Sequence, residues 1–387
     1  MPDLKQLKEV STEYMLFEAK REEQFMTGSE AVREAIRRAN IDIAISYPIT
    51  PQSESMHLVG DLYAEGYVKE YFRGENEFAV MSEVAGAAMA GVRTFTATCG
   101  PGTLRAFENF PMWAGSRLPI VMAFMTRAIN APLSIQPDTI EMAFLRDTGI
   151  MMLHAESAQD LYDMLLMSFD IVEQTSVHIP IGVFVDGFFV THTRQKVKVV
   201  VEDVKLKPYN PDLSPVPHID METPPIRLMR DPFVMKSNFI SYAAHASWQQ
   251  EILTAAQRAK RYIRKYLGNF IEQENPDAPT QIVASGTAVS QAREAINMLK
   301  EEGIEDVGLI KIKVIRPFPK DEIRAALSKA KKIVIPEFNR VGWLAQEVAA
   351  VIPNNDRIVP GPRVYGGMTM PPEVIVQVIK KGTLVGV

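Results

Sequence analysis

Four groups of residues have the types and spacing that chemistry needs. Tyr47-Pro48-Ile49-Thr50-Pro51 follows the apolar run Ile41-Ser46, which sets the Thr50 hydroxyl between two prolines at the carboxyl end of an expected buried strand. Ligands of open α/β sheets bind at that edge, but Thr before Pro is also common in plain turns and caps, and this turn alone favours a structural reading. Gly74-Glu75-Asn76-Glu77 leads into Val84-Ala85-Gly86-Ala87-Ala88-Met89-Ala90-Gly91, a segment so poor in side-chain volume that backbone or a flat ligand can approach closely. The plainer reading makes Glu75 and Glu77 surface acids at the positive end of a helix dipole. Thr96-Ala97-Thr98-Cys99-Gly100-Pro101-Gly102 sits between a strand and a helix as phosphate-cradling loops do, without the Walker lysine or the dinucleotide glycine spacing. Cys99 reads as a small buried thiol. The run Leu118-Phe124 ends in Met125-Thr126-Arg127-Ala128, placing at the same sheet edge a guanidinium suited to a carboxylate, unless Arg127 is an ordinary salt-bridged arginine. The 6 histidines show neither metal-ligand spacing nor a nucleophilic serine partner.

The elements that must position these residues alternate. Ile41-Ser46, Val92-Thr98, Leu118-Phe124 and His178-Val185 are short apolar runs bounded by turn residues, as buried strands are. Between them Ser29-Ala39, Glu77-Gly91 and Ala158-Glu173 carry helical periodicity, the last with Leu161, Met164, Leu165 and Phe169 on one face. The pattern predicts a parallel sheet covered on both faces. From Lys196 to Asp231 a Lys/Val alternation gives way to many prolines, read as a linker over the surface, and Tyr242 to Asn269 reads as one long basic helix. A second α/β block follows, with strands at Gln281-Ala284, Val307-Ile315 and Lys332-Pro336 and helices at Gln291-Glu302 and Lys320-Lys329.

At 387 residues with 47% hydrophobic and 23% charged, the chain fits two domains better than one. A net charge of -5 and no basic run interleaved with aromatics exclude nucleic acid as an expected partner. No segment sustains the roughly 18 apolar residues of a membrane span, and the charged first 25 residues lack a secretory core, so the expectation is a cytoplasmic protein. A single cysteine supplies neither a disulfide nor the thiolates of an iron-sulfur cluster, which would have to sit on another chain.

Taken in order, Tyr47-Pro48-Ile49-Thr50-Pro51, Gly74-Glu75-Asn76-Glu77, Arg93-Thr94-Phe95-Thr96-Ala97-Thr98, Arg117-Leu118-Pro119-Ile120-Val121 and Thr126-Arg127-Ala128-Ile129-Asn130-Ala131-Pro132 resemble the alpha subunits of 2-oxoacid:ferredoxin oxidoreductases, the pyruvate enzymes above all. The resemblance extends through Arg146-Asp147-Thr148-Gly149, Asp186-Gly187-Phe188 with Thr191-His192-Thr193, and Arg316-Pro317-Phe318-Pro319. It implies an α/β architecture: an N-terminal arm over 1–24, a pyrimidine-binding thiamine diphosphate domain over 25–195, the Pro-rich linker and long helix over 196–275, and a transketolase C-terminal-like, Rossmann-like domain over 276–387.

The resemblance also implies roles. Glu77, matched by its spacing to Gly91, would be the catalytic acid: a buried, protonated carboxyl bonded to the cofactor's aminopyrimidine ring. Thr50 and Arg127 match the contacts to the substrate carboxylate. The thiamine diphosphate would be shared with a beta subunit carrying the diphosphate site, its Mg2+ and an iron-sulfur cluster. Gamma and ferredoxin-like delta subunits, ferredoxin and coenzyme A complete the expected system, which converts pyruvate to acetyl-CoA and carbon dioxide or runs in reverse. Thr50 disfavours oxalate, whose enzymes would carry arginine there. The Gly100-Pro101-Gly102 turn departs from the usual pyruvate-type loop toward 2-oxoglutarate-type relatives, so 2-oxoglutarate or a branched-chain oxoacid is the alternative substrate. Asp186-Gly187 and His192 are expected to be structural or to lie at an interface. A rival of another class, a non-catalytic nucleotide-binding regulatory protein, would need phosphate fingerprints that are missing here.

Overall fold

Strand-helix alternation produces two parallel-stranded layers in the computed structural model, which describes residues 4–130, 133–214, 238–353 and 355–382. The larger sheet has seven strands in the order Val314–Arg316, Met151–Ala155, Ile181–Asp186, Val121–Thr126, Thr94–Thr98, Ile43–Ser46, Glu70–Arg73. Every pair is parallel except the one made by Val314–Arg316, which runs antiparallel along Met151–Ala155.

Both faces are buried because side chains alternate across a strand. Met122 and Phe124 point into one core, Ala123 and Met125 into the other. Helices Gly28–Arg38, Gln52–Ala64, Ala158–Val172 and the long Asn238–Leu267 cover the second core, while Glu77–Met89 and Asn109–Gly115 cover the first. Gly28–Arg38 is fixed at its start by a capping box, with the Thr27 hydroxyl accepting from Glu30 N–H and the Glu30 carboxylate accepting from Thr27 N–H.

The second domain is a five-stranded sheet ordered Ile271–Glu274, Val307–Ile312, Thr280–Ala284, Lys332–Val334, Ile358–Val359, with only the first strand antiparallel.

Three expectations change. The run Val307-Ile315 is not one strand: it breaks after Ile312, where Lys313 buries its ammonium against Glu272, 2.8 Å away, and Val314–Arg316 crosses to the first sheet. A continuous apolar run carries no period that would reveal such a change of sheet. Residues from Lys196, read as a surface linker, instead begin as the strand Gln195–Val200, antiparallel to Arg21–Met26, followed by Val204–Leu206 parallel to Lys8–Val10. The Lys/Val alternation is the period of a half-buried strand, with Val197 and Val199 inside and Lys196 and Lys198 outside. The proline-rich stretch from Pro215 to Pro225 lies outside the described residues. Strands Glu70–Arg73 and Met151–Ala155 were not anticipated, the first because its polar composition lacks a strand signature.

Candidate active site

Strand order assembles the site. Ile43–Ser46, Thr94–Thr98 and Val121–Thr126 are successive neighbours, so the turns at their carboxyl ends bring Thr50, the Cys99–Gly102 segment and Arg127 together. Arg127 Nη1 donates to the Thr50 carbonyl at 2.6 Å, and the Cys99 thiol donates to the same oxygen at 3.2 Å. The Thr50 side chain itself is exposed, and its peptide to Pro51 is cis. Arg127 is only 6% exposed, yet its Nε has no hydrogen-bond partner. Gln52 Nε2 and Thr98 Oγ1 are likewise buried and unpartnered. Each buried donor left unmatched costs on the order of 1–3 kcal/mol, so orphans grouped at one sheet edge point to an absent ligand or partner group.

Glu77 stands on the other side of the Cys99–Gly102 segment. It opens the helix Glu77–Met89 just after Asn76, whose side chain caps Ala79 N–H at 3.1 Å. Its carboxyl is buried at 5% exposure, whereas Glu75 is exposed, which separates the two acids that sequence spacing alone had to choose between. Among the described residues its one ion-pair partner is Arg105, whose Nε lies 3.9 Å away and whose side chain is 61% exposed.

Two glycines make this approach possible. A Cβ on Gly102 would fall 2.6 Å from Thr98 Oγ1 and 2.7 Å from Glu77 Oε1, and one on Gly100, at φ +45°, would fall 2.6 Å from Arg127 Cγ. The Gly-Pro-Gly turn is thus the thin wall between the acid and the cation. Burial pushes the Cys99 thiol far up, reinforced by the nearby Glu141 carboxyl, so Cys99 is no thiolate nucleophile.

Sequence reading missed Glu141. It sits in the short helix Ile140–Leu145, fully buried, with Oε1 accepting from Arg127 N–H at 3.2 Å and Oε2 accepting from the Thr103 hydroxyl. Burial pushes its carboxyl up to about 8, against the pull of Thr103 and the N–H groups of Arg127 and Gly100. The available signal was an acid inside the otherwise apolar Ile-Glu-Met-Ala-Phe-Leu, a pattern that is odd for a surface helix.

Asp186 and His192 lie apart from this group in role. Asp186 Oδ2 accepts from Thr287 N–H at 2.7 Å and from the Thr287 hydroxyl at 2.6 Å, joining the first sheet to the second domain, with His154 Nε2 at 3.4 Å from Oδ1. His192 stacks on Phe188 with ring centroids 4.6 Å apart and reaches Glu54 at 3.1 Å.

A mostly parallel sheet whose carboxyl edge carries a buried acid, a glycine-walled recess and a buried arginine defines an α/β ligand-binding fold of the enzyme kind. Comparison with known proteins agrees and narrows it. The family model described as pyruvate flavodoxin/ferredoxin oxidoreductase, thiamine diphosphate-binding, matches residues 34–258, and that for the pyruvate:ferredoxin oxidoreductase core domain II matches 278–375. Pyruvate synthase subunit PorA of Methanothermobacter thermautotrophicus is 33% identical over 92% of this chain and 94% of its own length. The alpha subunit of NADH-dependent phenylglyoxylate dehydrogenase of Aromatoleum evansii is 30% identical over 88% of this chain and 85% of its own. Among solved structures, the 2-oxoglutarate:ferredoxin oxidoreductase of Magnetococcus marinus superposes with a TM-score of 0.71 at 21% identity, covering 93% of this chain and 65% of that one. A split-gene transketolase superposes with a TM-score of 0.55 at 15% identity, which speaks for the fold alone. The chain belongs to the pyruvate:ferredoxin oxidoreductase family and is an enzyme subunit of it.

Proposed function

We propose that this chain is the alpha subunit of a heteromeric, thiamine diphosphate-dependent 2-oxoacid:ferredoxin oxidoreductase that converts pyruvate and coenzyme A to acetyl-CoA, carbon dioxide and reduced ferredoxin, and catalyses the reverse. The observation that carries the reading is the unpartnered buried Nε of Arg127, separated only by the Gly100–Gly102 wall from the buried acid Glu77. The residues fit the pyrimidine end of the cofactor: Glu77 offers a buried carboxyl to its ring, and Gly102, where a Cβ would fall 2.7 Å from Glu77 Oε1, leaves that carboxyl uncrowded. When bound, thiamine diphosphate supplies a nucleophilic carbon for the 2-oxo group and a sink for the electron pair left by decarboxylation. Glu77 would hydrogen-bond the ring nitrogen, and Arg127, which donates to the Thr50 carbonyl, would hold the substrate carboxylate together with the exposed Thr50 hydroxyl.

The other half of the site belongs to a beta subunit carrying the diphosphate, its Mg2+ and an iron-sulfur cluster, with gamma and ferredoxin-like delta subunits passing electrons to ferredoxin. Among the described residues no group of three or more His, Cys, Asp or Glu could hold a metal ion, and no helix is long and apolar enough to cross a membrane. Phe72, Phe78 and Phe107 remain 52%, 42% and 38% exposed on the strand end, helix start and loop nearest Glu77, apolar surface of the kind subunits cover. A cytoplasmic location is part of the same reading.

A second substrate, 2-oxoglutarate, is favoured by one feature, the Gly100-Pro101-Gly102 turn. The native complex, assayed for coenzyme A-dependent dye reduction with pyruvate, 2-oxoglutarate and branched-chain oxoacids side by side, should prefer pyruvate. Arg127→Ala should raise KM for the preferred acid at least tenfold, the size expected for a lost charge-assisted pair. A KM unchanged with every oxoacid removes Arg127 from the substrate site.

A further inference from the structure

Glu141 has no place in the chemistry so far, yet it touches both parts that the chemistry needs. Its Oε1 takes the main-chain N–H of Arg127, the residue at the end of Val121–Thr126, while its Oε2 takes the hydroxyl of Thr103 in the helix Gly100–Arg105. The Gly100 N–H also donates to it. One carboxyl therefore ties the strand end bearing the guanidinium to the helix whose first turn is the glycine wall. We propose that Glu141 is a positioning residue for oxoacid binding, locking Arg127 against the Gly100–Gly102 turn and, by its own charge, governing how strongly Arg127 attracts the substrate carboxylate. The inference rests on the reading of Arg127 as the substrate cation.

The charge argument follows from burial. Glu141 is fully enclosed, and its carboxyl, pushed up to about 8, is mostly neutral at pH 7. In that state the bond to Thr103 reverses, the carboxyl proton being given to the Thr103 hydroxyl, while Oε1 still accepts the Arg127 N–H and the Arg127 charge is not offset. Once ionised, Glu141 offsets that charge from within the same low-dielectric wall. Of the groups beside it, Asp138, pushed by burial up to about 6, completes its ionisation below the range in which Glu141 titrates, and the Cys99 thiol, pushed far up, stays neutral.

The test is KM for pyruvate between about pH 6.5 and 9.5 in the assembled native complex and in complexes carrying Arg127→Ala, Glu141→Gln or Glu141→Ala. Wild type should show KM rising roughly fivefold above pH 8 with kcat unaffected by that titration. Glu141→Gln, which keeps the oxygen acceptor and a donor to Thr103 but cannot ionise, should flatten that rise. Glu141→Ala should raise KM at every pH by freeing the strand end. A Glu141→Gln profile that still rises like wild type, alongside a normal loss in Arg127→Ala, overturns the role of Glu141 alone. An unchanged KM in Arg127→Ala overturns the assignment of Arg127 and this inference with it.

Discussion

A single buried carboxyl separates two sequence positions that look alike. Glu75 and Glu77 share a tetrapeptide and both precede a small-residue helix, but the chain turns so that only Glu77 lies under the Gly102 recess. Glu77→Gln in the assembled complex should slow hydrogen exchange at the thiazolium C2 by about a hundredfold or more, the scale of a lost general-acid contact, without changing subunit composition. Glu75→Gln should leave exchange alone. Near-wild-type exchange in Glu77→Gln, followed by NMR, would remove its role. Thr50, Glu77 and Arg127 were singled out in the sequence through the family resemblance, since residue context alone left each a plain structural reading, and the structure gathers them around the Cys99–Gly102 segment. Glu141 was not, because the contacts that define it come from Thr103, Gly100 and Arg127, which lie 14 or more positions away or belong to other elements.

At the scale of the element, the Gly100–Arg105 helix sets a conflict between propensity and space. Alanine at Gly102 should favour the helix by about 1 kcal/mol, since glycine is a poor helix former. The same methyl would sit 2.6 Å from Thr98 Oγ1 and 2.7 Å from Glu77 Oε1, and forcing room in a packed wall costs about 1–3 kcal/mol. Crowding wins. Gly102→Ala should lower Tm by only a few degrees yet reduce kcat at least tenfold, because the side chain it displaces is Glu77. Activity within twofold of wild type would mean that the wall yields elsewhere. Elements with a clear period were legible: the helix with Leu161, Met164, Leu165 and Phe169 on one face stands at Ala158–Val172. The break after Ile312 was hidden because a fully buried run reads the same in either sheet.

The two sheets behave as one body because polar and apolar links cross between them. One apolar cluster runs from Phe124 and Phe184 of the first sheet to Val283 and Ile310 of the second. Val314–Arg316, covalently part of the second block, completes the edge of the first sheet. Lys311, 8% exposed on the second sheet, reaches Glu156 at 2.8 Å and Asp160 at 2.9 Å on the first, while Glu156 also takes Ser290 and Arg293. Burial alone would push the Lys311 ammonium down and the Glu156 carboxyl up. Their pairing outweighs it in both cases, raising Lys311 and lowering Glu156. A depressed carboxyl stabilises the fold above its unfolded value and loses that contribution as pH falls through the folded one, so the Glu156 share drains away below 4.5. Lys311→Met takes the ammonium from Asp160 and leaves Glu156 to Arg293 and Ser290, so the loss falls below the roughly 3–5 kcal/mol of a fully broken buried pair. Calorimetry should show the variant melting in one transition at a lower Tm at pH 7, with wild-type and variant stabilities converging as the medium is acidified below that value. Two resolved transitions in wild type would show the domains to be independent, and a gap between the two proteins that persisted in acid would place the stabilising charge elsewhere.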